Sequence, residues 1–273
     1  IYITGYFCYN IVFEVTNLSV LGFSDYFLAK YTTNVVFEWV RKGGSNASYK
    51  GSTIEKGRSL ICNDDNEIIV GGMICDTAYF DSLQIIVGSV HPDCYYNSFI
   101  AKYSIEGKIK WVEAIRSRYA FIYGSTSDHL NNIYISGSIS GDTTIFISDT
   151  IISSNWSDSF VAKLNSDGAL IWQRNIGIQN NNFDESSSIT LGENMNLYIS
   201  GFFNESFIFM SDTFETSFNN KQLYIAKFDL DGNYLWTEVG GNKPIGDGYP
   251  SEIFYKNGAM YFIGSYINSA TFG

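Results

Sequence analysis

The chain has 273 residues, of which 45% are hydrophobic, 17% aromatic and only 16% charged. This composition supports a large buried core, and it excludes a disordered chain, a collagen and a small disulfide scaffold. The 28 acidic and 17 basic residues give a net charge of −11, which disfavours nucleic acid and anionic lipid as partners. No apolar run reaches the roughly 18 residues of a membrane helix, so membrane insertion is not expected.

A short β-forming phrase that ends in glycine opens the chain and then recurs. Its copies end at Gly5, Gly72, Gly137, Gly201 and Gly264, with spacings of 67, 65, 64 and 63 residues. The chain begins on Ile1 inside the first copy and closes on a partial one. We therefore expect it to be an excerpt of a longer protein.

A second phrase, aromatic-aliphatic-Ala-Lys, follows each of the first four glycine phrases. Nine residues after its lysine comes a tryptophan, at Trp39, Trp111, Trp172 and Trp236. Further aromatic residues fall eight residues after four of the glycines and nine after the third, at Phe13, Phe80, Phe146, Phe209 and Phe272. Markers in one fixed order establish an internal repeat. It predicts one propeller domain over 1–273, with units at 1–67, 68–132, 133–196 and 197–259 and a partial unit at 260–273.

Each unit is predicted to contain strands only. Short runs of Ile, Val, Tyr, Phe and Thr alternate with Gly, Asn, Asp and Ser, and no helical periodicity is sustained. A Glu-Gly or Asp-Gly pair, at Gly107, Gly168 and Gly232, marks a hairpin turn between the Ala-Lys strand and the tryptophan strand. The first unit has Thr33-Asn34 followed by Val35 there, and we expect Asn34 to take the turn conformation and the turn to be wider. A second hairpin gives four antiparallel strands per unit.

The strands are apolar or small on both alternating faces, as in Ile133 to Gly137, so both sides of each sheet must be covered. A repeated four-stranded sheet buried on both faces is typical of a β-propeller blade, with a β-solenoid or a string of sandwiches as the alternative. Counting predicts about four blades and a surplus hairpin, cut from a larger ring. The alternative is a closed ring in which the last hairpin completes the first blade.

Two stretches make the repeat recognisable. Ser157 to Trp172, followed by Asn194 to Gly201, resembles the SBBP-type β-propeller repeat of bacterial proteins. The spacing Ala-(five)-Gly-(three)-Trp, as in Ala162, Gly168 and Trp172, is also similar to the tryptophan-docking motif of quinoprotein-like propellers. That similarity implies that the four repeated tryptophans lock neighbouring blades together.

The resemblance also implies a biological setting. SBBP-type propellers are commonly seven-bladed and belong to secreted or surface proteins of bacteria, often with type IX secretion as the export route. We therefore expect a secreted or cell-surface location and a place in a surface or secretion complex. The family implies no single reaction, and fold alone does not assign one.

The sequence offers little for a cofactor, a metal or catalysis. His91 and His129 lie in different units without neighbouring ligands, and the acidic stretch Asp229 to Asn233 has Gly240 where a calcium loop needs glutamate. We interpret that stretch as a hairpin turn. No catalytic, cofactor-binding or metal-binding residue is therefore predicted. The four cysteines are interpreted as buried thiols, with a Cys75–Cys94 disulfide as the alternative.

Three aromatic residues outside the repeat positions are the candidate contacts with a ligand or partner. Trp156 lies in the polar connection before an Ala-Lys strand, and Tyr95 and Tyr96 lie in the matching connection one unit earlier. Large amphipathic rings on loops bind sugars or anchor protein partners. Packing of each loop onto its own blade is the alternative.

Three functions follow from this reading. The first is a non-catalytic binding or scaffold propeller that contacts a protein or a glycan through rim loops. The second is a glycan-active hydrolase or lyase with paired carboxylates, for which Asp64 with Asp65 and Asp184 with Glu185 are the candidates. The third is a purely structural spacer.

Overall fold

The computed structural model describes residues 1–45, 55–75, 77–81, 83–86, 96–141, 143–152, 157–176, 183–204, 206–209, 212–215, 221–240 and 248–266. All regular structure in these ranges is β-strand. Across the same ranges there is accordingly no helix long and apolar enough to cross a membrane. The predicted all-β class is confirmed.

The strands follow one another at short intervals and are numbered in chain order. They are β1 (Tyr2–Phe7), β2 (Ile11–Phe13), β3 (Thr16–Leu18), β4 (Asp25–Tyr31), β5 (Phe37–Ser45), β6 (Lys56–Cys62), β7 (Ile68–Ile74), β8 (Thr77–Phe80), β9 (Leu83–Ile86), β10 (Asn97–Tyr103), β11 (Ile109–Arg116), β12 (Tyr119–Ser127), β13 (Ile133–Ser140), β14 (Thr144–Phe146), β15 (Asp149–Ile151), β16 (Asp158–Leu164), β17 (Leu170–Ile176), β18 (Glu185–Leu191), β19 (Asn196–Asn204), β20 (Ser206–Phe209), β21 (Asp212–Glu215), β22 (Lys221–Asp229), β23 (Tyr234–Gly240), β24 (Gly248–Lys256) and β25 (Ala259–Tyr266).

The strands group into blades with one common order: inner strand, glycine strand, Ala-Lys strand and tryptophan strand. This order is β6-β7-β10-β11 in the second blade, β12-β13-β16-β17 in the third and β18-β19-β22-β23 in the fourth. The first blade has β1-β4-β5 without an inner strand, and β24-β25 forms a separate hairpin. The strands pair antiparallel in β6-β7-β10-β11, in β13-β16-β17 and in β18-β19-β22-β23. Strands β7, β10 and β13 are buried along their whole length. These are the sheets of a β-propeller.

The contacts divide the chain into two compact units. Unit 1 comprises residues 1–122 and 144–151, and unit 2 comprises 123–143 and 152–273. Unit 1 thus contains the first two blades. Unit 2 contains most of the third blade, the fourth blade and the β24-β25 hairpin.

Two small hairpins, which the sequence analysis did not predict, extend the two blades of unit 1. After the glycine strand the chain crosses to the outer edge of the preceding blade, where β8 pairs with β5 and β14 pairs with β11. The aromatic markers Phe80 and Phe146 lie on these hairpins and are fully buried. The prediction of four strands per unit was therefore incomplete. Because β14 and β15 pair onto the preceding blade, residues 144–151 belong to unit 1.

The repeated glycine and the repeated aromatic residue face each other across two paired strands. Gly72 is opposite Phe99, and a Cβ atom at Gly72 would lie 2.6 Å from the Phe99 ring. Gly5, Gly137 and Gly201 have the same register with Phe27, Phe160 and Tyr224. Because the ring fills the space above the glycine backbone, these two markers are parts of one packing arrangement.

The hairpin turns take the left-handed conformation that was predicted, with one difference. Gly107, Gly168 and Gly232 have φ angles of 78°, 87° and 78°. In the first turn Val35 has the positive φ, at 61°, and its amide donates to the Thr32 carbonyl over 3.0 Å, as the Gly107 amide does to Ser104. The expected role of Asn34 and the expected wider turn are therefore wrong. A β-branched residue is held in a conformation that strains it.

Within each unit, a tryptophan of one blade packs on the glycine in the hairpin turn of the following blade. The Trp39 indole N–H donates to the Ile105 carbonyl over 3.2 Å, and a Cβ atom at Gly107 would lie 2.9 Å from its ring. Trp172 repeats this arrangement on the Leu230 carbonyl at 3.1 Å and on Gly232. Each indole nitrogen gains a partner, and each ring packs where only glycine fits.

An arginine strengthens each docked turn. Arg41 Nε donates to the Gly107 carbonyl over 2.8 Å, and its guanidinium carbon lies 5.3 Å from the Trp39 ring centroid. Arg174 makes the same contacts with Gly232 and Trp172, at 3.1 Å and 5.5 Å. The blade pair of each unit is thus joined by a repeated set of hydrogen bonds and ring contacts.

Candidate functional site

Of the three predicted contact residues, the structure describes one. Trp156 and Tyr95 lie outside the described residues. Tyr96 is half-buried, and an isolated parallel bridge holds it beside Tyr119, with the Ala120 amide donating to the Tyr96 carbonyl over 2.9 Å. The surroundings of Tyr96 therefore define the candidate site.

Strand alternation places two further rings next to Tyr96. In β12, Ala120 and Ile122 are buried, whereas Tyr119 and Phe121 are half-buried on the opposite face. The ring centroid of Tyr96 lies 6.2 Å from that of Tyr119 and 5.8 Å from that of Phe121. The three rings form one aromatic surface in unit 1.

Two guanidinium groups border these rings. The Arg118 guanidinium carbon lies 5.7 Å from the Tyr119 ring centroid, and that of Arg58 lies 5.8 Å from the Phe121 ring centroid. These are cation–π distances. Arg58, Tyr96, Arg118, Tyr119 and Phe121 are called the aromatic–arginine patch below.

A β-bulge directs Arg58 to this surface. The register between β6 and β7 shifts between Gly57 and Ser59, so Arg58 is the extra residue of the bulge and is exposed. Bulges re-aim side chains in this way. The corresponding register shifts in β18 and β24 have Ser187 and Ser251 as the extra residue. Of these three bulges, the one in β6 therefore carries a charged side chain, and the other two carry serine.

The electrostatics of the patch are positive, although the chain as a whole is acidic. Burial, and then the nearby Arg58 charge, lower the pKa of Lys56, whose ammonium lies 5.9 Å from the Tyr6 ring centroid. The Arg118 Nε atom is buried without a hydrogen-bond acceptor among the described residues. An anionic group bound at the exposed Arg58 side chain would gain a charge partner.

Unit 2 has a smaller arrangement of the same kind. The Lys221 ammonium lies 4.1 Å from the Phe202 ring centroid and 4.4 Å from that of Tyr249, and these two centroids are 6.3 Å apart. It holds one cation between two rings. Unit 1 presents two arginines and three rings, so its patch is the stronger candidate.

The carboxylates proposed for a hydrolase do not form an open pair. Asp64 and Asp65 are exposed in the turn between β6 and β7. Asp184 is 1% exposed, and its pKa is raised to about 8 by burial first and by Asp158 as the repelling charge, while Glu185 is half-buried. Asp158 of the third blade is thus the nearby like charge for Asp184 of the fourth, but both side chains are buried, so a substrate has no access to them.

The same pairing of buried acids occurs in unit 1. Glu55 is 3% exposed, and burial raises its pKa to about 7, with Asp25 as the nearby like charge. The Ser45 amide donates to Glu55 Oε2 over 2.8 Å, and the Cys75 amide donates to Oε1 over 3.2 Å. Lys42 contacts Asp25 over 3.2 Å. These contacts explain the acid pair as part of the packing between two blades.

The remaining titratable candidates lie apart from the patch. His129 is exposed, and His91 lies outside the described residues. Asp229 accepts hydrogen bonds from the Asp231 and Asn233 amides, at 3.0 and 2.8 Å, as expected for a hairpin turn. Among the described residues no group of three or more His, Cys, Asp or Glu side chains could hold a metal ion.

The predicted cysteine environments are corrected in part. Cys75 is buried, but Cys62 is exposed at the end of β6 and Cys8 is half-buried. The prediction of four buried thiols was therefore wrong for Cys62 and Cys8. Cys94 lies outside the described residues, and the Cys75–Cys94 disulfide stays a prediction.

Most of the patch was missed by the sequence analysis, which named Tyr96 alone. Tyr119 and Phe121 carry a local signal, since alternate positions of one inner strand are aromatic. Arg58 and Arg118 carry none, because Arg58 lies in a different blade and Arg118 precedes β12. Only the packing of the two blades brings the five side chains together.

Comparison with known proteins supports the fold class. No protein-family model matches the chain. The chain is 25% identical over 270 residues to an uncharacterized WD repeat-containing protein, L264, of Acanthamoeba polyphaga mimivirus. The match covers 83% of this chain and 19% of the relative, so the chain spans about a fifth of that protein's length. WD repeats form propeller blades, so the repeat and the strand order define a β-propeller repeat protein.

A solved structure is also similar over much of its length. The crystal structure of a protein of unknown function from Bacteroides caccae covers 77% of this chain and 89% of its own, at 10% identity. The TM-score is 0.26, which is too low to support an argument about fold or function.

Proposed function

We propose that the chain is a non-catalytic binding or scaffold module and that the aromatic–arginine patch contacts an acidic segment of a protein partner. The observation that carries the proposal is the convergence of Arg58 and Arg118 on three rings. Tyr and Arg are enriched at the energetically dominant positions of protein interfaces. Such residues, grouped on one surface, support a binding role.

The charge of the patch supports an acidic partner. Arg58 and Arg118 border the rings, and Lys56 lies close enough to Arg58 for their charges to repel, in a chain of net charge −11. This surface therefore carries positive charge on an acidic molecule. Complementary charge steers association and selects the partner. The pKa of Lys56 is lowered by burial and by Arg58, and a bound carboxylate would offset both effects.

The proposal includes the points that rest on the resemblance stated above. We propose that the chain belongs to the SBBP-type repeat family and forms part of a larger, seven-bladed ring. We also propose that it is exported to a bacterial surface or into a secretion complex. Their support is the residue pattern of Ser157 to Trp172 and its copies.

A peptide selection tests the binding proposal. A display library of 12-residue peptides is selected on the whole chain, and enriched peptides are titrated into wild type and into Arg58→Ala/Arg118→Ala. We expect acidic peptides with aromatic residues to be enriched and their affinity to fall about 10-fold or more in the variant. A Lys108→Ala/Lys256→Ala variant removes the same charge from exposed positions outside the patch and should bind like wild type.

Two results would contradict the proposal. If the patch variant and wild type bind the peptides with equal affinity, the patch does not contribute to binding. Binding to uronate-containing or sulfated glycans on an array, with no acidic peptide enriched, would replace the protein partner by an anionic glycan.

A further inference from the structure

The turn of the β24-β25 hairpin carries a reactive pair of residues. Lys256 pairs with Ala259, so Asn257 and Gly258 are the two central residues of the turn. Their φ angles are 53° and 78°, as in a type I′ turn, and both residues are exposed. The sequence has no other Asn-Gly pair. The turn therefore presents the single Asn-Gly pair of the chain to solvent.

An Asn-Gly pair in water can react with itself. The backbone nitrogen of the glycine attacks the side-chain carbonyl carbon of the asparagine, and the glycine offers no side chain that blocks this approach. Among the described residues, neither the Gly258 amide nor the Asn257 side chain has a hydrogen-bond partner. A Cβ atom at Gly258 would meet no other atom within 4 Å. Neither hydrogen bonds nor crowding in this part of the structure oppose the attack.

Two other exposed asparagines in turns lack this combination. Asn66 has a φ of 58°, but it is followed by Glu67, whose amide donates to Asn63 Oδ1 over 2.7 Å. Asn233 is followed by a tyrosine, and its side-chain amide donates to Asp229 Oδ2 over 2.8 Å. In the first case the attacking nitrogen is engaged, and in the second the leaving amide is. Asn66 and Asn233 are therefore internal controls for Asn257.

We propose that Asn257 is a site of spontaneous deamidation, with solvent water as the co-reactant. The Gly258 nitrogen forms a bond to Asn257 Cγ, the bond from Cγ to Nδ2 breaks, and ammonia leaves with the proton of the Gly258 amide. Water then opens the succinimide ring. Opening at Cγ gives aspartate, and opening at the backbone carbonyl carbon gives isoaspartate. This site goes beyond the proposed function and shares no residue with the aromatic–arginine patch.

The modification changes the hairpin as well as the charge. Both products add one negative charge, and isoaspartate also adds a carbon atom to the main chain inside a two-residue turn. Because the length of the turn sets the register of a hairpin, the pairing of Tyr255 with Met260 is disturbed. Strand β24 contacts β18 of the fourth blade and has Ile253 buried. Isoaspartate at 257 therefore loosens the packing of the hairpin on that blade.

Peptide mapping by mass spectrometry tests the proposal. The whole chain is incubated at pH 5 and at pH 8, and the fragment that contains Asn257 is compared with those of Asn66 and Asn233 for the mass gained when an amide becomes an acid. Methylation by an isoaspartyl methyltransferase counts the isoaspartate. We expect Asn257 to be modified first, with isoaspartate among the products. The reaction should be faster at pH 8, because the deprotonated amide nitrogen is the nucleophile.

The Gly258→Ala variant is the matched control. Its methyl group hinders the approach of the nitrogen, so deamidation should fall about 10-fold or more. Open space around the position allows this variant to fold. A free peptide with the sequence of residues 253–262 gives the rate without the fold, and we expect the rate in the folded chain to lie within about 10-fold of it, as for an exposed turn.

Three results would overturn the proposal. A chain modified more than about 10-fold more slowly than the free peptide would show that the fold protects the turn. Equal rates in wild type and Gly258→Ala would exclude attack by the Gly258 nitrogen. Modification of Asn66 or Asn233 as fast as that of Asn257 would show that the hairpin turn confers no selectivity.

Discussion

The carboxylates of Asp25 and Glu55 meet above Gly44, where a Cβ atom would lie 2.0 Å from Asp25 Oδ1 and 3.0 Å from Glu55 Oε2. The two acids come from neighbouring blades and are 30 positions apart in the chain. Both are buried, and Gly44 leaves the space they fill. Asp158 and Asp184 form the corresponding pair in unit 2.

These pairs predict that stability falls as the pH rises. The folded pKa values of Glu55 and Asp184 are about 7 and about 8, because burial disfavours the charged form, whereas the reference values are 4.5 and 3.8. The folded chain therefore holds protons that the unfolded chain has released. From about pH 5 upward, each carboxyl costs up to about 1.4 kcal/mol per pH unit until its folded pKa is passed.

Thermal unfolding followed from pH 5 to pH 8 measures this effect. We expect the melting temperature to fall across that range and the slope to decrease in Glu55→Gln and in Asp184→Asn. A wild-type melting temperature that rises from pH 5 to pH 8 would contradict the assignment.

Docking of the tryptophan on the glycine turn predicts a large cost for Gly107→Ala. The substitution strains a backbone at φ 78° and places a Cβ atom 2.9 Å from the Trp39 ring. We expect about 2–4 kcal/mol of destabilisation. Gly258 has the same φ with no atom within 4 Å, so Gly258→Ala should cost only about 1 kcal/mol. Denaturant unfolding compares the two, and equal costs would exclude the ring contact as the cause.

The conformation of Val35 predicts a stabilising substitution. Val35 has a φ of 61° and is 69% exposed, so its side chain contributes little packing to offset the strain. Asparagine adopts this conformation more readily. Val35→Asn should therefore raise the free energy of unfolding by about 1 kcal/mol, and Val36→Asn, at an exposed neighbour, should not. A destabilised Val35→Asn would argue against the strain.

The buried phenols of Tyr26 and Tyr103 predict a non-additive pair of substitutions. Their hydroxyl groups contact each other, and both side chains are 0% exposed. Tyr103→Phe leaves the Tyr26 hydroxyl without its partner, at a cost of about 1–3 kcal/mol. Because Tyr26→Phe/Tyr103→Phe removes both polar groups, the double variant should be no less stable than the single ones. A double-mutant cycle in denaturant measures this, and additive costs would contradict the contact.

The repeat was sufficient to predict the blades, since the phrases of Gly72, Lys102 and Trp111 recur in one order at a nearly constant period. It could not predict the β8-β9 and β14-β15 hairpins on the preceding blade, because pairing between blades leaves no local period. For the same reason the acid pair of Asp25 and Glu55 was missed. The positive φ angle was predicted for Asn34 and not for Val35, because β-branched residues disfavour that conformation. The rest of the hairpin nevertheless imposes it on Val35.

The central claim is that the aromatic–arginine patch binds an acidic protein segment. Calorimetric titration of one selected acidic peptide, at two salt concentrations, into wild type and into Arg58→Ala/Arg118→Ala tests it most directly. The account predicts weaker wild-type binding at high salt, and an affinity about 10-fold or more lower in the variant than in wild type at low salt. An affinity that is the same in both proteins and at both salt concentrations would contradict it.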